Sequence, residues 1–337
     1  MSTMHAALIR EHGGPEVLEV VEVERPVPKS GEVLVRVGAC ALNHLDIFVR
    51  RGMPGMRFSF PHVSGGDVAG WVEAAGDAAG EHLVGGAVLI DPLVGDHALG
   101  EGPWGGLADF IVVPAQNVIS IDAPDAELER YAALPIAYGT AYRMLFSRAR
   151  LQPGETMVVL GASGGVGVAC VQFGSRIGAR IIACSSSDEK LARLRALGAD
   201  ATINTAREDF SRRAWELTGK QGADVVVDYN GRDTWPGSIR CTRHGGRLVT
   251  CGATTGYEAT TDLRYVWTRE LTILGSDGWT RDDLLAIVEL VRSGEISPVI
   301  HGIFPLSRIR EAEAVIEERR AFGKVVVIPD GVWDGRG

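Results

Sequence analysis

Closely spaced cysteines are absent from this sequence of 337 residues. The five cysteines, Cys40, Cys170, Cys184, Cys241 and Cys251, contain no C-x-x-C pair, so neither a zinc ribbon nor a disulfide framework is indicated. Most of them stand within apolar runs. We therefore expect small buried hydrophobic residues at these positions.

Basic clusters and long apolar runs are absent as well. The formal net charge is −9, and Lys and Arg do not gather among aromatic residues, which argues against a nucleic-acid partner. No apolar run has the length needed to cross a bilayer, and residues 1–14 alternate like a strand without the apolar core of a signal peptide. We expect a cytoplasmic protein that binds a small molecule, with no nucleic acid and no membrane as partner.

The most informative stretch that is present is a glycine-rich turn. An apolar run at residues 157–160 leads into Gly161-Ala-Ser-Gly-Gly-Val-Gly167, and an apolar helical pattern follows. A strand that enters a helix through such a turn lets backbone approach a phosphate, and the helix N-terminus offers unpaired N–H groups. The stretch predicts a bound dinucleotide; the alternative is an empty turn that serves packing alone.

Two patterns of secondary structure divide the chain. Up to about residue 123, short strand-like runs alternate with glycine and proline clusters, which predicts a barrel-like all-β unit. Residues 127–150 have a helical pattern, interrupted by Pro135 and Gly139. From residue 156 strands and helices alternate, which predicts a parallel sheet covered by helices on both faces. A final strand at 324–328 is expected to return to the first domain.

Several motifs carry a resemblance to a known family. They are listed here: Gly13-Gly-Pro-Glu-Val-Leu18, Gly31-Glu-Val-Leu-Val-Arg-Val37, Leu42-Asn-His-Leu-Asp46, the turn 161–167, Leu197-Gly-Ala-Asp200, Gly245-Gly-Arg-Leu-Val249 and Gly323-Lys-Val-Val326. With them the chain resembles the medium-chain dehydrogenase/reductase superfamily, and most closely its zinc-free quinone oxidoreductase-like branch. The resemblance implies an α/β protein: a Rossmann domain with a doubly wound parallel sheet at residues 126–277, and a GroES-like β-barrel catalytic domain at 1–125 completed by 278–337.

The resemblance also implies where a catalytic zinc would be bound. Asn43 stands where zinc-dependent members have a cysteine, Gly66 where they have a histidine, and Ala132 near the third ligand position. The stretch 91–106, which matches their structural-zinc lobe, contains no cysteine. We expect no zinc, since a catalytic site needs three fixed ligands. The alternative is a regrouped site, with ligands drawn from Cys40, His44, Asp46, His62 and Asp67.

The cofactor is expected to be NADPH, with NADH as the alternative. NAD-binding domains usually carry an acidic residue at the end of the second strand, and here Ser185 and Ser186 stand at that place, with Lys190 one helical turn later. A serine does not repel a 2′-phosphate, and Lys190 has the length to reach one. The alternative is that these serines only cap the helix. Asp188 and Glu189 argue against NADPH, because their carboxylates would repel a 2′-phosphate unless they are directed away from it.

The resemblance implies a set of site residues. Catalytic candidates are Asn43, as a hydrogen-bond donor to a carbonyl or to the ribose, His44 and Tyr138, as proton donors, and Asp46. For Asn43 and Asp46 the alternative is local capping, for His44 a packed or exposed histidine, and for Tyr138 a place in the core. Cofactor-binding candidates are Thr140, Gly161, Ser163, Gly164, Gly165, Val166, Gly167, Ser185, Ser186, Lys190, Asn230, Cys251, Gly252 and Ala253.

The expected activity is therefore transfer of hydride from NADPH to an enone- or quinone-type acceptor. Two alternatives remain: an alcohol dehydrogenase or carbonyl reductase that acts on a specialised metabolite, and a cofactor-binding protein whose activity is vestigial. The strand at 271–275 should lie at a sheet edge, where it would pair with a second copy. A homodimer or a higher homo-oligomer is expected.

Overall fold

The computed structural model describes residues 2–53, 59–94, 97–121, 127–333 and 335, in two compact units. The first unit comprises Met1–Ile136 and Ile300–Gly337, and the second Ala137–Val299. Of the boundaries expected from the sequence, 125/126 lies outside the described residues. The other, 277/278, differs from the observed one, because residues 278–299 pack on the second unit: Ser147 donates to Asp283 (3.2 Å) and the side chain of Gln172 to the carbonyl of Ser297 (2.8 Å).

Strands dominate the first unit and alternate with helices in the second. In chain order the strands are β1 Thr3–Leu8, β2 Glu19–Glu24, β3 Glu32–Leu42, β4 Asp67–Ala75, β5 Ala87–Ile90, β6 Leu93–Val94, β7 His97–Ala98, β8 Phe110–Pro114, β9 Val118–Ser120, β10 Thr156–Val159, β11 Arg180–Ser185, β12 Ala201–Asn204, β13 Ala223–Val227, β14 Thr242–Thr250, β15 Thr272–Gly275, β16 Ile300–Pro305 and β17 Lys324–Ile328.

The helices are short to medium in length. They are α1 His44–Arg51, α2 Leu128–Ala132, α3 Thr140–Tyr142, α4 Gly165–Arg176, α5 Asp188–Ala196, α6 Phe210–Leu217, α7 Trp235–Cys241, α8 Leu263–Thr268, α9 Arg281–Arg292 and α10 Ile309–Glu317. Two π-helical stretches, Pro135–Gly139 and Arg143–Arg148, flank α3. Short 3₁₀ helices occupy Pro15–Val17, Glu81–Leu83, Ala115–Asn117 and Leu306–Arg308.

The helical segment at 135–148 corrects one expectation. The break lies at residues 133–134, so Pro135 begins a helical turn, as its fixed φ and missing N–H allow. Gly139 does not interrupt the segment either. A Cβ at this position would lie 2.9 Å from the ring of Trp279, which explains the glycine by close packing rather than by a turn.

The core of the first unit is built around β3. The order in its sheet is β16-β17-β3-β4-β5-β9, with β8 also paired to β3, and β1 and β2 form a separate antiparallel pair. Val33, Val35 and Val37 alternate along β3, so their side chains share one face of the sheet, and all three are completely buried in the hydrophobic core. The terminal strand β17 pairs antiparallel with β3, for example Val327 with Cys40, as the sequence predicts. This pairing brings Lys324 beside the end of β3.

The second unit contains one parallel sheet with the order β12-β11-β10-β13-β14-β15. The chain leaves β10 first toward β11 and later resumes on the other side at β13. Ligands bind at such a switch point, in the crevice outside the carboxyl ends of the strands. The predicted fold class, a Rossmann sheet together with a GroES-like unit, is confirmed.

Across the described ranges, no helix combines the length and the hydropathy that a membrane span requires.

Candidate functional site

The glycine-rich turn connects β10 to α4, and two hydrogen bonds fix it. Gly161 adopts a φ of +62°, which favours glycine, and its carbonyl accepts the N–H of Gly164 at 3.0 Å. The N–H of Ala162 donates to Cys184 at 2.9 Å and so ties the turn to β11. Gly164 is the N-cap of α4, so the first N–H groups of this helix, from Gly165 onward, point out at the switch point.

Two glycines of the turn have different roles. A Cβ on Gly167 would lie 2.5 Å from the Cα of Ala162, so a side chain there would separate helix from turn. A Cβ on Gly164 would meet no atom closer than 3.6 Å and would enter open space. One glycine thus permits close packing within the chain, and the other keeps the turn open to a ligand. The geometry fits a pyrophosphate held at a helix N-terminus.

A tyrosine outside the predicted set of cofactor-binding residues supports this turn. The hydroxyl of Tyr229 donates to the carbonyl of Gly161 at 2.8 Å, and the side-chain oxygen of Asn230 lies 3.0 Å from the place of a Gly161 Cβ. Both residues follow β13, and the buried Asp228 carboxylate orders their loop through the N–H groups of Asn230 (3.0 Å) and Gly231 (3.2 Å). The only sequence signal for Tyr229 is its place directly after a strand.

The end of β11 carries the predicted determinants of cofactor choice. Ser185 is buried, and its hydroxyl lies 3.3 Å from that of Ser163 in the glycine-rich turn, whereas Ser186 is exposed. Ser187 caps α5 by accepting the N–H of Lys190 at 3.4 Å, so the capping alternative applies to this serine. Partial burial lowers the pKa of Lys190; the charge of Glu189 raises it, and that of Arg193 lowers it further.

Asp188, one of the two acids that argued against NADPH, is engaged elsewhere. The carboxylate of Asp188 accepts the side-chain amide of Asn204 at 2.6 Å and forms an ion pair with Arg207 at 2.9 Å. Its charge is therefore partly neutralised in the protein itself. Arg207, which follows β12, adds a cation near this end of the sheet, and the sequence analysis did not identify it.

The remaining cofactor candidates lie in the second unit as well. Thr140 begins α3 and is buried. Cys251, Gly252 and Ala253 follow β14 and line a cavity of about 800 Å³. All the predicted cofactor-binding residues belong to the second unit, and the structure brings the turn, Ser185 and Asn230 together at the ends of adjacent strands.

In the first unit, the buried side chains of Lys324 and Asp67 and the half-buried side chain of Asn43 form a polar cluster. The ammonium of Lys324 donates to the side-chain oxygen of Asn43 at 2.5 Å and to Asp67 at 2.9 Å. The amide of Asn43 donates to Asp67 at 2.9 Å, and the second oxygen of Asp67 accepts the N–H of Ile136 at 2.8 Å. The amide of Asn43 also donates to the carbonyl of Ala41 at 3.3 Å, so both of its N–H groups have acceptors. A direct contact of this amide with substrate would require one of these bonds to break.

Asp46 has the capping arrangement that the sequence leaves open as the alternative to a catalytic role. Asp46 is buried in the first turn of α1, where its carboxylate accepts the N–H of Asn43 at 2.7 Å and that of Gly65 at 2.8 Å. Burial raises its pKa to about 6, against the lowering effect of the bond from Asn43. The carboxylate starts the helix and fixes the chain at Gly65, which is the capping alternative.

His44, the first residue of α1, remains accessible. Its ring is exposed and lies near that of Phe48. Surrounding protein atoms remove part of its hydration and lower its pKa, and the cations Arg319 and Lys324 lower it further. At neutral pH the imidazole is therefore mostly uncharged. It can still exchange protons with solvent.

Tyr138 lies in the core, the place that the sequence leaves open as the alternative to a role as proton donor. It is completely buried, its hydroxyl donates to Gln172 at 2.7 Å, and the N–H of Val299 donates to it at 3.0 Å. Burial raises its pKa, which the bond from Val299 only partly offsets. The hydroxyl joins three segments of the second unit and has no free proton to give.

The donor set at the expected zinc position does not fit zinc. An ammonium group, that of Lys324, is bonded to the oxygens of Asn43 and Asp67 there. Burial raises the pKa of the nearby Cys40 thiol, so this sulfur is a poor source of thiolate. Among residues that the structure describes, no three His, Cys, Asp or Glu side chains come together in a metal-binding group.

Comparison with known proteins agrees with this architecture. The family model for the alcohol dehydrogenase GroES-like domain matches residues 29–123, and that for zinc-binding dehydrogenase matches residues 165–293. A quinone oxidoreductase of Pseudomonas aeruginosa is 31% identical over 331 residues, which cover 94% of this chain and 97% of that protein.

Two solved structures show the same likeness. An NAD-dependent alcohol dehydrogenase superimposes with a TM-score of 0.90 at 37% identity, covering 96% of this chain and 99% of the other. The 2-octenoyl-CoA carboxylase reductase CinF, in complex with NADP and 2-octenoyl-CoA, gives 0.88 at 29% identity, covering 100% and 90%. The chain therefore belongs to the medium-chain dehydrogenase/reductase superfamily, in its quinone oxidoreductase-like branch, and is an NAD(P)H-dependent oxidoreductase.

Proposed function

We propose that this protein reduces the C=C bond of an α,β-unsaturated carbonyl compound, an enone or a quinone, with NADPH and without zinc. The observation that carries the proposal is the cluster of Lys324, Asn43 and Asp67, in which an ammonium is bonded to the oxygens at the expected metal position. This donor set offers no place for a Lewis acid.

The energetics also favour reduction of a C=C bond over oxidation of an alcohol at a site without zinc. Zinc lowers the pKa of a bound hydroxyl from near 16 to about 7, which corresponds to roughly 12 kcal/mol. One well-placed hydrogen-bond donor contributes about 3–4 kcal/mol. Oxidation of a simple alcohol therefore depends strongly on the metal. Reduction of a conjugated C=C depends on it less, because the enolate that develops is already delocalised.

The second unit supplies the residues that would hold the cofactor. The N-terminus of α4 with Gly164 suits the pyrophosphate, and Ser185, Ser186 and Lys190 suit a 2′-phosphate, with Arg207 as a further cation. When bound, NADPH supplies the hydride. Thr140 and the segment 251–253 are the proposed contacts of its nicotinamide ring.

The proton that completes the reduction would come from His44 or from water. His44 is the accessible titratable group of α1, and its lowered pKa makes it a carrier that exchanges with solvent rather than a permanently charged acid. Tyr138 is not proposed, since its hydroxyl is buried and fully bonded. One hydride and one proton add across the C=C, and NADPH becomes NADP⁺.

A second candidate is an NAD(H)-dependent alcohol dehydrogenase or carbonyl reductase. It is favoured by the 37% identity to a solved NAD-dependent alcohol dehydrogenase. The two candidates differ in cofactor, in acceptor and in need for metal, so one set of assays separates them.

We also propose a cytoplasmic homodimer that assembles through β15. This strand lies at the edge of its sheet, and apolar side chains around it, those of Leu263, Trp267 and Ile273, are exposed. An unpaired edge with exposed apolar residues is a site for pairing with an identical strand. Light scattering at micromolar concentration should give twice the chain mass, and a monomer would contradict the proposal.

The test of the activity is NADPH oxidation at 340 nm with enones, quinones and aldehydes, after dialysis against a chelator, with NADH in parallel. Turnover of enones or quinones at full rate without zinc supports the proposal. Activity that needs added zinc, or that is confined to alcohols and aldehydes with NAD(H), supports the second candidate instead.

The cofactor assignment has its own pair of variants. Lys190→Ala should raise KM for NADPH about 10-fold and leave that for NADH nearly unchanged, because a charge-assisted bond contributes about 1.5–3 kcal/mol. Arg195→Ala, an exposed change on the same helix, is the matched control. Equal effects of Lys190→Ala on both cofactors would contradict recognition of the 2′-phosphate.

A further inference from the structure

The cavity of about 800 Å³ in the second unit has an arginine-rich wall. Arg143 and Arg148, both from the π-helical stretch after α3, line one part of it. The ends of β14 and β15 line another, with Cys251–Ala253 and Gly275–Asp277. The volume is typical of small-molecule sites. The cavity thus joins the proposed nicotinamide contacts to two guanidinium groups.

Hydrogen-bonding capacity in this wall is left unused. Arg148 donates through Nε to the carbonyl of Gly275 at 2.8 Å. Arg143 approaches Asp283 only at 3.7 Å, too far for a hydrogen bond, and its Nε is buried without a partner among the described residues. The hydroxyl of Ser276, a residue only 8% exposed, is likewise buried without a hydrogen-bond partner among the described residues. An unsatisfied buried polar group costs about 1–3 kcal/mol, so this wall is suited to a polar ligand.

The charges around the cavity favour an anion. The wall contains the guanidinium groups of Arg143 and Arg148 and one carboxylate, that of Asp277. Asp283 does not line the cavity; it lies 3.7 Å from Arg143, and its oxygens also accept from Ser147 at 3.2 Å and from the N–H of Thr280 at 2.9 Å. Among the residues that line the wall, two guanidinium groups therefore stand against one carboxylate.

We propose that Arg143, together with Arg148 and Ser276, binds a carboxylate carried by the substrate. A guanidinium matches the two oxygens of a carboxylate with two parallel hydrogen bonds. The cofactor leaves this role open, since its phosphates are assigned to α4 and to Lys190 and its carboxamide is neutral. The inference rests on the proposed function and narrows it to acidic α,β-unsaturated carbonyl compounds.

The first experiment compares two probes, 4-oxopent-2-enoate and its methyl ester, which share the reacting enone and differ in charge. In both, one hydride and one proton add across the C=C, and NADPH becomes NADP⁺. Arg143→Leu should lower the acid-to-ester ratio of kcat/KM by about 10- to 100-fold, and Arg143→Lys and Ser276→Ala by less. The exposed change Arg195→Leu is the control and should leave the ratio unchanged. An unchanged ratio in Arg143→Leu overturns the proposal.

A second experiment does not depend on turnover. Calorimetry with 4-oxopentanoate in the presence of NADP⁺ should show binding to the wild-type protein that weakens with salt and disappears in Arg143→Leu. If neither enone is reduced but this binding is seen, the proposed function fails and the carboxylate site stands. If the enones are reduced but wild-type protein does not bind 4-oxopentanoate, the site fails and the function stands. If Arg143→Leu instead converts the assembly to monomers, these arginines hold a second copy, and the proposal is overturned.

Discussion

The ammonium of Lys324 lies 2.9 Å from a carboxylate oxygen of Asp67, and the two side chains are 2% and 0% exposed. This buried ion pair joins β17 at the end of the chain to the start of β4. It occupies the place that the family resemblance assigns to a catalytic zinc, so the same cluster bears on stability and on chemistry.

Loss of Lys324 should destabilise the protein strongly. Lys324→Met leaves the carboxylate of Asp67 buried without its cation, which typically costs about 3–5 kcal/mol. The double variant Lys324→Met/Asp67→Asn should recover part of this loss, because it removes the uncompensated charge. Urea denaturation measures both, and the exposed change Lys29→Met should stay within about 0.5 kcal/mol of wild type. A cost no larger than that of Lys29→Met would show that the pair contributes little.

Tyr229→Phe should weaken cofactor binding more than it affects stability. The change removes the hydroxyl that donates to Gly161 at 2.8 Å, so the glycine-rich turn loses one of its fixed bonds. A hydrogen bond of this kind contributes about 0.5–1.5 kcal/mol, which corresponds to a 2- to 12-fold rise in the Kd of NADPH. Fluorescence titration gives the value. Tyr142→Phe is the control, since the structure shows no hydrogen bond of this hydroxyl within the described part of the chain, and equal effects of the two variants would contradict the prediction.

Two alanine variants of the turn should separate folding from binding. Gly167→Ala places a Cβ 2.5 Å from the Cα of Ala162, so α4 must move and stability should fall by about 1–3 kcal/mol, with loss of NADPH binding. Gly164→Ala meets no atom closer than 3.6 Å and should fold like wild type, yet bind NADPH more weakly. Thermal denaturation and titration test each, with Gly331→Ala as the control. Normal NADPH affinity in Gly164→Ala would show that the phosphate lies elsewhere.

Stability should depend on pH through Glu313. This residue of α10 is completely buried, and burial raises its pKa from the ordinary 4.5 to about 7, although Arg50 at 2.6 Å lowers it. The folded state therefore binds more protons than the unfolded state between these values. The contribution of Glu313 is greatest below pH 4.5 and is lost as the pH rises toward 7.

The test compares Glu313→Gln with wild type across this range. Gln imitates the protonated carboxyl, so the variant should gain stability relative to wild type as the pH increases from 4.5 to 7, by on the order of 1–3 kcal/mol. Glu318→Gln, an exposed change near the end of the same helix, should show no such trend. A difference between Glu313→Gln and wild type that is constant with pH would refute the pKa assignment.

Much of the fold followed from local patterns. The turn 161–167 has its glycines three residues apart, between a strand and a helix, and each role depends on atoms within a few residues. The bounds of β17 agreed with the expected 324–328, because a short apolar pattern determines them. For Asn43 and Asp46 the sequence left local capping as the alternative to a site role, and in the structure these residues form the start of α1.

The tertiary structure decided which hydrogen-bond and ion-pair partners meet when they are distant in the chain. From the sequence, Tyr138 could lie either in the core or in the site. In the structure its hydroxyl donates to Gln172 and accepts the N–H of Val299, and both partners are distant in the chain. Asn43 and Lys324 are 281 positions apart, and no periodicity or spacing relates them. The sequence determined the turn, the strands and the residue types because these depend on neighbours along the chain. Which polar groups are paired and buried was decided only by the packing of distant segments, since each such pairing depends on where both partners lie in space.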